Sequence, residues 1–228
     1  MSGAPERVPL SATALQLLRT AERLFAEHGF AGVSLRQIST EAGSANNSAV
    51  SYHFGSKEGL VEAIFAYRLP QLRQRRELLK ARLHPGDLRA LIEAHLLPVF
   101  ELAEAPDGFY LSFLEQLERS PASRALLTAY VPTQSQADFV AEIQSLLPEI
   151  DEPVRTMRIN QMQMLSLHAA AERERDVAAG EPVITFGLFV STLIDACTGY
   201  LTAPVSAETK RFLESIGDAP TSASMRLV

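Results

Sequence analysis

The chain has 228 residues, of which 46% are hydrophobic and 21% charged. This composition is typical of a globular protein and excludes a mostly disordered, collagen-like or low-complexity chain. The single cysteine, Cys197, excludes an intrachain disulfide and a cysteine-based zinc site. The net charge of −6 divides into +3 for residues 1–80 and −9 for residues 81–228, so the N-terminal part is the basic one.

The sequence predicts helices from end to end. Ser11 can cap a first helix whose apolar residues recur every three or four positions, and Gly29 is expected to end it. Ser34 is expected to cap a short second helix that ends at Ala42-Gly43, and Gly55 to end the third. The predicted helices span 11–29, 34–42, 49–54, 56–83, 87–105, 109–119, 121–130, 134–147, 153–175, 185–203 and 206–216.

Two short helices joined by a tight glycine turn, after one longer helix, are typical of a helix-turn-helix. Gly43 can adopt the positive φ that the turn needs, and Ser39 is small enough for the place where the two helices cross. The pattern alone leaves open a helical subdomain that merely exposes Tyr52 and His53.

Several blocks of the N-terminal sequence resemble one known family. They are Ala21-Glu22-Arg23-Leu24-Phe25, Gly29-Phe30, Val33-Ser34-Leu35-Arg36-Gln37-Ile38, Glu41-Ala42-Gly43 and Tyr52-His53-Phe54-Gly55-Ser56-Lys57-Glu58-Gly59-Leu60. Over residues 11–67 the chain is similar to the DNA-binding domain of the tetracycline-repressor (TetR) family. The segment from Gly43 to Tyr52 is one residue longer than the commonest form of the motif.

The resemblance implies an all-α fold with an N-terminal three-helix DNA-binding domain and a larger C-terminal helical domain. We expect a flexible arm over 1–10, the helix-turn-helix domain over 11–55, a connecting helix over 56–83 and an effector-binding and dimerisation domain over 84–228. The implied function is a transcriptional regulator, most simply a repressor that a small molecule releases from a palindromic operator. A helical protein-interaction module without DNA binding is the alternative.

The third helix is expected to enter the major groove of double-stranded operator DNA. Residues at its start can hydrogen-bond base edges or backbone, and Ala49 can pack on a thymine methyl. Phosphate contacts are expected from Tyr52 and His53, as the resemblance implies, and from the starts of the second and fourth helices. The predicted DNA-binding residues are Ser34, Arg36, Asn46, Asn47, Ser48, Ala49, Tyr52, His53 and Lys57.

The C-terminal part is expected to bind a small, largely apolar effector. Aromatic and methionine side chains can line an apolar cavity, and a few polar residues can orient a ligand. The same aromatic and methionine side chains would also fit an ordinary apolar core. The predicted effector-binding residues are His95, Phe100, Phe109, Tyr110, Phe113, Met157, Gln161, Met164 and His168.

The helix predicted over 185–203 is apolar on most faces, so it must be buried in a core or against a second copy. One helix-turn-helix also reads few base pairs, which favours a homodimer on a palindrome. The residues predicted to form the dimer interface are Phe186, Phe189, Val190, Leu193 and Ile194.

Other functional classes receive little support from the sequence. His168 and Glu172 lie one turn apart, but no third metal ligand is evident, and motifs for phosphate binding or hydrolysis are absent. We therefore expect neither an enzyme nor a bound metal or cofactor. No secretion signal is predicted in residues 1–10, and polar residues dilute the apolar stretch 182–204, so we expect a cytoplasmic protein without a membrane segment.

Overall fold

A computed structural model describes residues 10–44, 46, 48–105, 107–119, 121–130 and 133–216, with backbone alone for 133–136 and 216. The described residues form helices and no strands, which confirms the predicted all-α fold. The helices are α1 (Ala12–Gly32), α2 (Leu35–Glu41), α3 (Ala49–Phe54), α4 (Lys57–Lys80), α5 (Leu88–Leu102), α6 (Tyr110–Glu118), α7 (Pro121–Tyr130), α8 (Thr133–Leu146), α9 (Glu152–Ala179), α10 (Phe186–Thr202) and α11 (Ala207–Ile216). The predicted arm over 1–10 lies outside the described residues except for Leu10. The C-terminal residues 217–228 also lie outside them.

The chain divides into two compact units. The first comprises the described residues up to Leu69 together with Ser112–Tyr130, and the second comprises Pro70–Leu111 and the described residues after Tyr130. The helix predicted over 56–83 as one connecting element thus contributes residues to both units. The functional division into four segments stays a prediction.

The first unit has a core of apolar residues from α1 to α4 and α6. Phe113 of α6 stacks near Phe25 of α1 and Phe65 of α4, with ring centroids 6.0 and 5.9 Å apart. Ser11 caps α1, since its hydroxyl accepts from the Ala14 N–H at 3.2 Å. Gly29 has φ of 72° and kinks α1, which then continues for three residues to Gly32 rather than ending there. Other fully buried members of this core are Leu17, Leu18, Leu24, Ile38, Val50, Leu60 and Ile64.

The second unit is built around α5, α9 and α10, which contact one another, and α8 packs on α5 and α9. Polar side chains fasten these helices at their ends. Arg158 of α9 donates to the carbonyl oxygens of Leu201 and Ala203, at 3.2 and 2.6 Å, and Arg89 of α5 pairs with Asp195 of α10 at 3.0 Å. One side of α10 is therefore packed against the rest of the second unit. The buried residues on that side are Val190, Ile194, Cys197 and Leu201.

Candidate nucleic-acid interface

The segment that joins α2 to α3 is a tight turn made by local backbone and side-chain bonds. Ser34 caps α2 by accepting from the Gln37 N–H at 3.1 Å. Gly43 follows the helix with φ of 69°, a conformation that favours glycine. Ser39 is fully buried, as expected for the small residue where α2 meets the next helix.

Hydrogen bonds from two polar side chains shape the entry to α3. Asn46 Oδ1 accepts from the Ser48 N–H at 2.9 Å, and Ser44 Oγ accepts from the Asn46 N–H at 3.2 Å. The predicted contact residue Asn46 thus uses its amide oxygen inside the turn, while its amide nitrogen has no hydrogen-bond partner among the described residues. Asn47, also a predicted contact, lies outside the described residues.

The outward face of α3 carries an aromatic residue and small polar residues. Tyr52 is 82% exposed, and its ring meets the exposed His53 ring edge-on, with centroids 5.0 Å apart. Ser48 is also exposed, as is Ser51, which the sequence reasoning missed although it shares this face. The prediction for Ala49 was wrong in its orientation: Ala49 is 6% exposed and packs inward beside Val50, so its methyl is turned away from a groove.

Lys57, at the start of α4, uses its ammonium inside the domain. Its Nζ donates to the carbonyl oxygens of Phe30 at 2.6 Å and Val33 at 2.8 Å, and lies 4.4 Å from the centroid of the Phe30 ring. Burial lowers the pKa of Lys57 below its usual value. The ammonium therefore fastens α4 to the end of α1, a use that differs from the predicted phosphate contact.

Two further features hold α3 against its neighbours. A Cβ built on Gly59 would overlap the carbonyl oxygen of Phe54 at the end of α3, so only glycine fits there without a backbone shift. The buried carboxylate of Glu22 in α1 accepts from Arg68 of α4, Nε to Oε2 at 2.9 Å and Nη2 to Oε1 at 2.5 Å. Such a bidentate pair fixes direction as well as distance between the two helices.

Comparison with known proteins agrees with this geometry. Residues 17–64, which span α1 to the middle of α4, match the family model described as bacterial regulatory proteins, tetR family. The N-terminal domain belongs to this family. Proteins of this family are DNA-binding transcriptional regulators.

Several solved structures are similar in fold to the chain. They include a TetR-like transcriptional regulator from Rhodococcus sp. RHA1 (19% identity, 87% of this chain and 100% of that chain, TM-score 0.56). A TetR family transcription regulator from Marinobacter aquaeolei VT8 (17%, 81% and 94%, TM-score 0.51) is similar as well. So is the fatty acid degradation regulator FadR from Bacillus halodurans (14%, 84% and 97%, TM-score 0.57). At these identities the likeness establishes the fold alone, and no curated protein matches the chain in sequence.

The residues predicted to bind the effector do not come together in the structure. Phe113 belongs to the core of the first unit, and four others lie on the exposed side of α9 rather than lining a pocket in the second unit. Those four are Met157, Gln161, Met164 and His168. His95, Phe100 and Tyr110 are buried in the second unit, and Phe109 is half-buried.

The dimer residues predicted on α10 are largely used within the chain. Val190 and Ile194 are buried, and Phe189 packs edge-on against Phe100 with ring centroids 5.6 Å apart, while Phe186 and Leu193 are half-buried. The prediction was wrong for Val190 and Ile194, because α10 turns this face towards α5 and α9. The large apolar residues that α9 and α10 expose instead are Met157, Met164, Leu165, Leu188 and Tyr200.

The described residues offer neither a cluster of metal ligands nor a single helix suited to span a membrane. No group of three or more His, Cys, Asp or Glu side chains there is placed to hold a metal ion. No single described helix is long and apolar enough to cross a membrane; only α10 taken together with Ala207–Ser215, bent by 55°, meets the length and composition criterion.

Proposed function

We propose that the chain is a homodimeric repressor that binds a palindromic operator and leaves it when a small molecule binds. The observation that carries the DNA-binding part is the outward face of α3 within a tetR-family domain. There Ser48, Ser51, Tyr52 and His53 are exposed while Val50 anchors the helix to the core. A short exposed helix held by a rigid turn suits the major groove.

The proposed contacts follow from the chemistry of the exposed groups. The amide nitrogen of Asn46 and the hydroxyls of Ser48 and Ser51 can donate to base edges, and Tyr52 and His53 to phosphate oxygens. Arg36 is exposed at the start of α2, where the free N–H groups of the first turn also favour a phosphate. Two more residues stay predicted contacts: Ser34, which caps that turn, and Asn47. Ala49 is buried and is not among the proposed contacts.

Selection of binding sites from random duplex DNA tests this proposal. We expect the full chain to enrich a two-fold symmetric sequence, and Tyr52→Ala to bind it more weakly. Loss of one phosphate contact should reduce the magnitude of the log–log salt slope by about 0.9. Enrichment of no sequence would support a protein-interaction module instead.

The exposed apolar faces of α9 and α10 support the homodimer. The two faces point the same way, because the Tyr200 hydroxyl on α10 donates to Gln161 Oε1 on α9. Met164 and Leu165 on α9 and Leu188 on α10 are further exposed apolar residues of these two helices. Such a surface on two adjacent helices suits a four-helix interface between two copies.

Sedimentation equilibrium at micromolar concentration tests the dimer. Leu188→Glu and Met164→Glu should shift the chain to monomer, because each places a charge in an apolar interface. Leu78→Glu is the matched control, since Leu78 is 58% exposed and belongs to α4 rather than to α9 or α10. A monomeric mass for the unaltered chain would refute the dimer.

A buried amide in the second unit supports effector binding. Gln163 of α9 is 6% exposed, and neither its amide nitrogen nor its oxygen has a hydrogen-bond partner among the described residues. A buried polar group left without a partner costs roughly 1–3 kcal/mol. A ligand group that hydrogen-bonds this amide would reduce that cost.

Release from DNA requires that the effector bind one of two conformations more tightly. A panel of small molecules added to the protein–operator complex should contain compounds that lower operator affinity, and Gln163→Leu should weaken their effect. If no compound class changes operator affinity, the effector part of the proposal is wrong.

A further inference from the structure

Arg76, in the part of α4 that belongs to the second unit, is a cation without a carboxylate partner. Its Nε donates to the carbonyl oxygen of His95 at 3.0 Å, and the structure shows no other hydrogen bond or ion pair for this guanidinium among the described residues. Two neighbouring cations on the same helix are paired, Arg75 with Glu101 at 2.7 Å and Lys80 with Glu142 at 2.6 Å. The least exposed of these three cations is therefore the one that lacks a counter-charge.

The two side chains that interact electrostatically with the Arg76 guanidinium, the His95 imidazole and the Tyr110 phenol, are neutral. The His95 ring is buried and stacks on Phe139, with ring centroids 3.5 Å apart and planes 5° from parallel. Burial, together with the charges of Arg76 and Lys80, holds the pKa of His95 well below its usual value, so the imidazole is uncharged at neutral pH. The phenol of Tyr110, also buried, is close enough to interact electrostatically with the guanidinium.

Arg76 keeps its charge in this setting. Desolvation lowers its pKa to about 10, which still leaves the guanidinium protonated at neutral pH. A partly buried charge is costly unless an opposite charge lies beside it. With Nε on the His95 carbonyl, the two Nη nitrogens remain as a pair of donors, which is the geometry that binds a carboxylate through two parallel bonds.

We propose that the second unit binds an organic monoanion, a carboxylate joined to an apolar body, through the two Nη nitrogens of Arg76. One guanidinium balances one negative charge, which favours a carboxylate over a doubly charged phosphate ester. The apolar body would lie among neutral rings such as Phe139 and Tyr110. The inference rests on the proposed effector function and gives that ligand a charge, where the sequence predicted only a largely apolar molecule.

Calorimetric titration of the full chain without DNA tests the site. The probes are benzoate, octanoate and decanoate, each compared with the alcohol and the amine of the same carbon skeleton, and with octyl and decyl phosphate. We expect at least one carboxylate to bind with Kd below 1 mM, and its alcohol and amine to bind at least tenfold more weakly. Equal binding of acid and alcohol would overturn the proposal, as would failure of every carboxylate or tighter binding of the phosphate ester.

Variants locate the anion on Arg76. Arg76→Gln should weaken binding of the carboxylate at least tenfold and leave binding of the alcohol unchanged, whereas Arg75→Gln, on the exposed neighbour, should change neither. Arg76→Lys keeps the charge but loses the paired donors, so its affinity for the carboxylate should be intermediate. This variant replaces Arg76→Gln as the test if Arg76→Gln does not fold. Unchanged carboxylate affinity in a folded Arg76 variant would overturn the assignment.

The anion site at Arg76 and the effector function can be refuted independently of each other. If a carboxylate binds through Arg76 and leaves operator affinity unchanged, the anion site stands and the effector function is wrong. If uncharged compounds release the operator while no carboxylate binds, the effector function stands and the anion site is wrong.

Discussion

Replacing Lys57 with methionine decides whether this ammonium supports the fold or contacts DNA. Methionine keeps the aliphatic chain against the Phe30 ring but removes the donor to the carbonyl oxygens of Phe30 and Val33, now at 2.6 and 2.8 Å. Hydrogen bonds to a charged group contribute roughly 1.5–3 kcal/mol each. Because one desolvated ammonium makes both bonds, we expect the free energy of unfolding to fall by about 2–3 kcal/mol.

Two measurements on the same protein test this expectation. Urea denaturation should show a lower midpoint for Lys57→Met, while the slope of log affinity for the selected operator against log salt stays that of the unaltered chain. Arg36→Met is the matched control. Arg36 is exposed on α2 and has no hydrogen bond or ion pair among the described residues, so its loss should leave the midpoint unchanged and flatten the slope by about 0.9 for each phosphate contact removed.

The opposite pattern would refute the reasoning. If Lys57→Met denatures at the same urea concentration as the unaltered chain and shows the flatter salt dependence, then the ammonium leaves the two carbonyls for a phosphate. The sequence prediction for Lys57 would then be right.

Three further predictions follow from buried or half-buried positions. Gly59→Ala should lower the melting temperature and weaken operator binding, because the new Cβ overlaps the Phe54 carbonyl oxygen. Gly32→Ala is the control and should be tolerated, because its Cβ meets only ordinary contacts. Equal melting temperatures of the two variants would contradict this prediction. Burial raises the pKa of Glu118 to about 7, above its ordinary 4.5, so the folded state favours the protonated carboxyl. The free energy of unfolding should therefore fall as the pH rises from 4.5 to 7. Thermal melts of Glu118→Gln from pH 4 to 8 should lack that fall. Cys197 is buried with a raised pKa, so a thiol reagent should label it only on unfolding, and rapid labelling of the native chain would show that the site opens.

The sequence predicted the helix-turn-helix because its signals are local. A hydroxyl before a helix has to satisfy free N–H groups of the first turn, and Ser11 and Ser34 do so in the structure. A glycine after a helix supplies a positive φ, and Gly55 has φ of 75°. Gly29 shows the limit of such a signal, since it kinks α1 and the chain resumes helix for one more turn.

The faces of α9 and α10 could not be predicted in the same way. On α9 apolar and polar residues are mixed around the helix, and α10 is apolar on most faces, so periodicity does not tell which stripe of either helix faces the core. On α9, Met162 is buried while Met157 and Met164 are exposed, and on α10 Ile194 is buried while Leu188 is exposed. Packing against α8 and against α5, which is far from α9 and α10 along the chain, makes that choice.

Arg76 shows why a candidate binding site can resemble ordinary surface in a sequence. It stands in the polar run Arg73–Glu77, which predicts a solvated helix face. The fold separates members of that run: Arg75 meets Glu101, whereas Arg76 meets the His95 carbonyl and neutral rings. A charge becomes informative when its neighbours are known, because only then does the lack of a counter-charge indicate what a ligand has to supply.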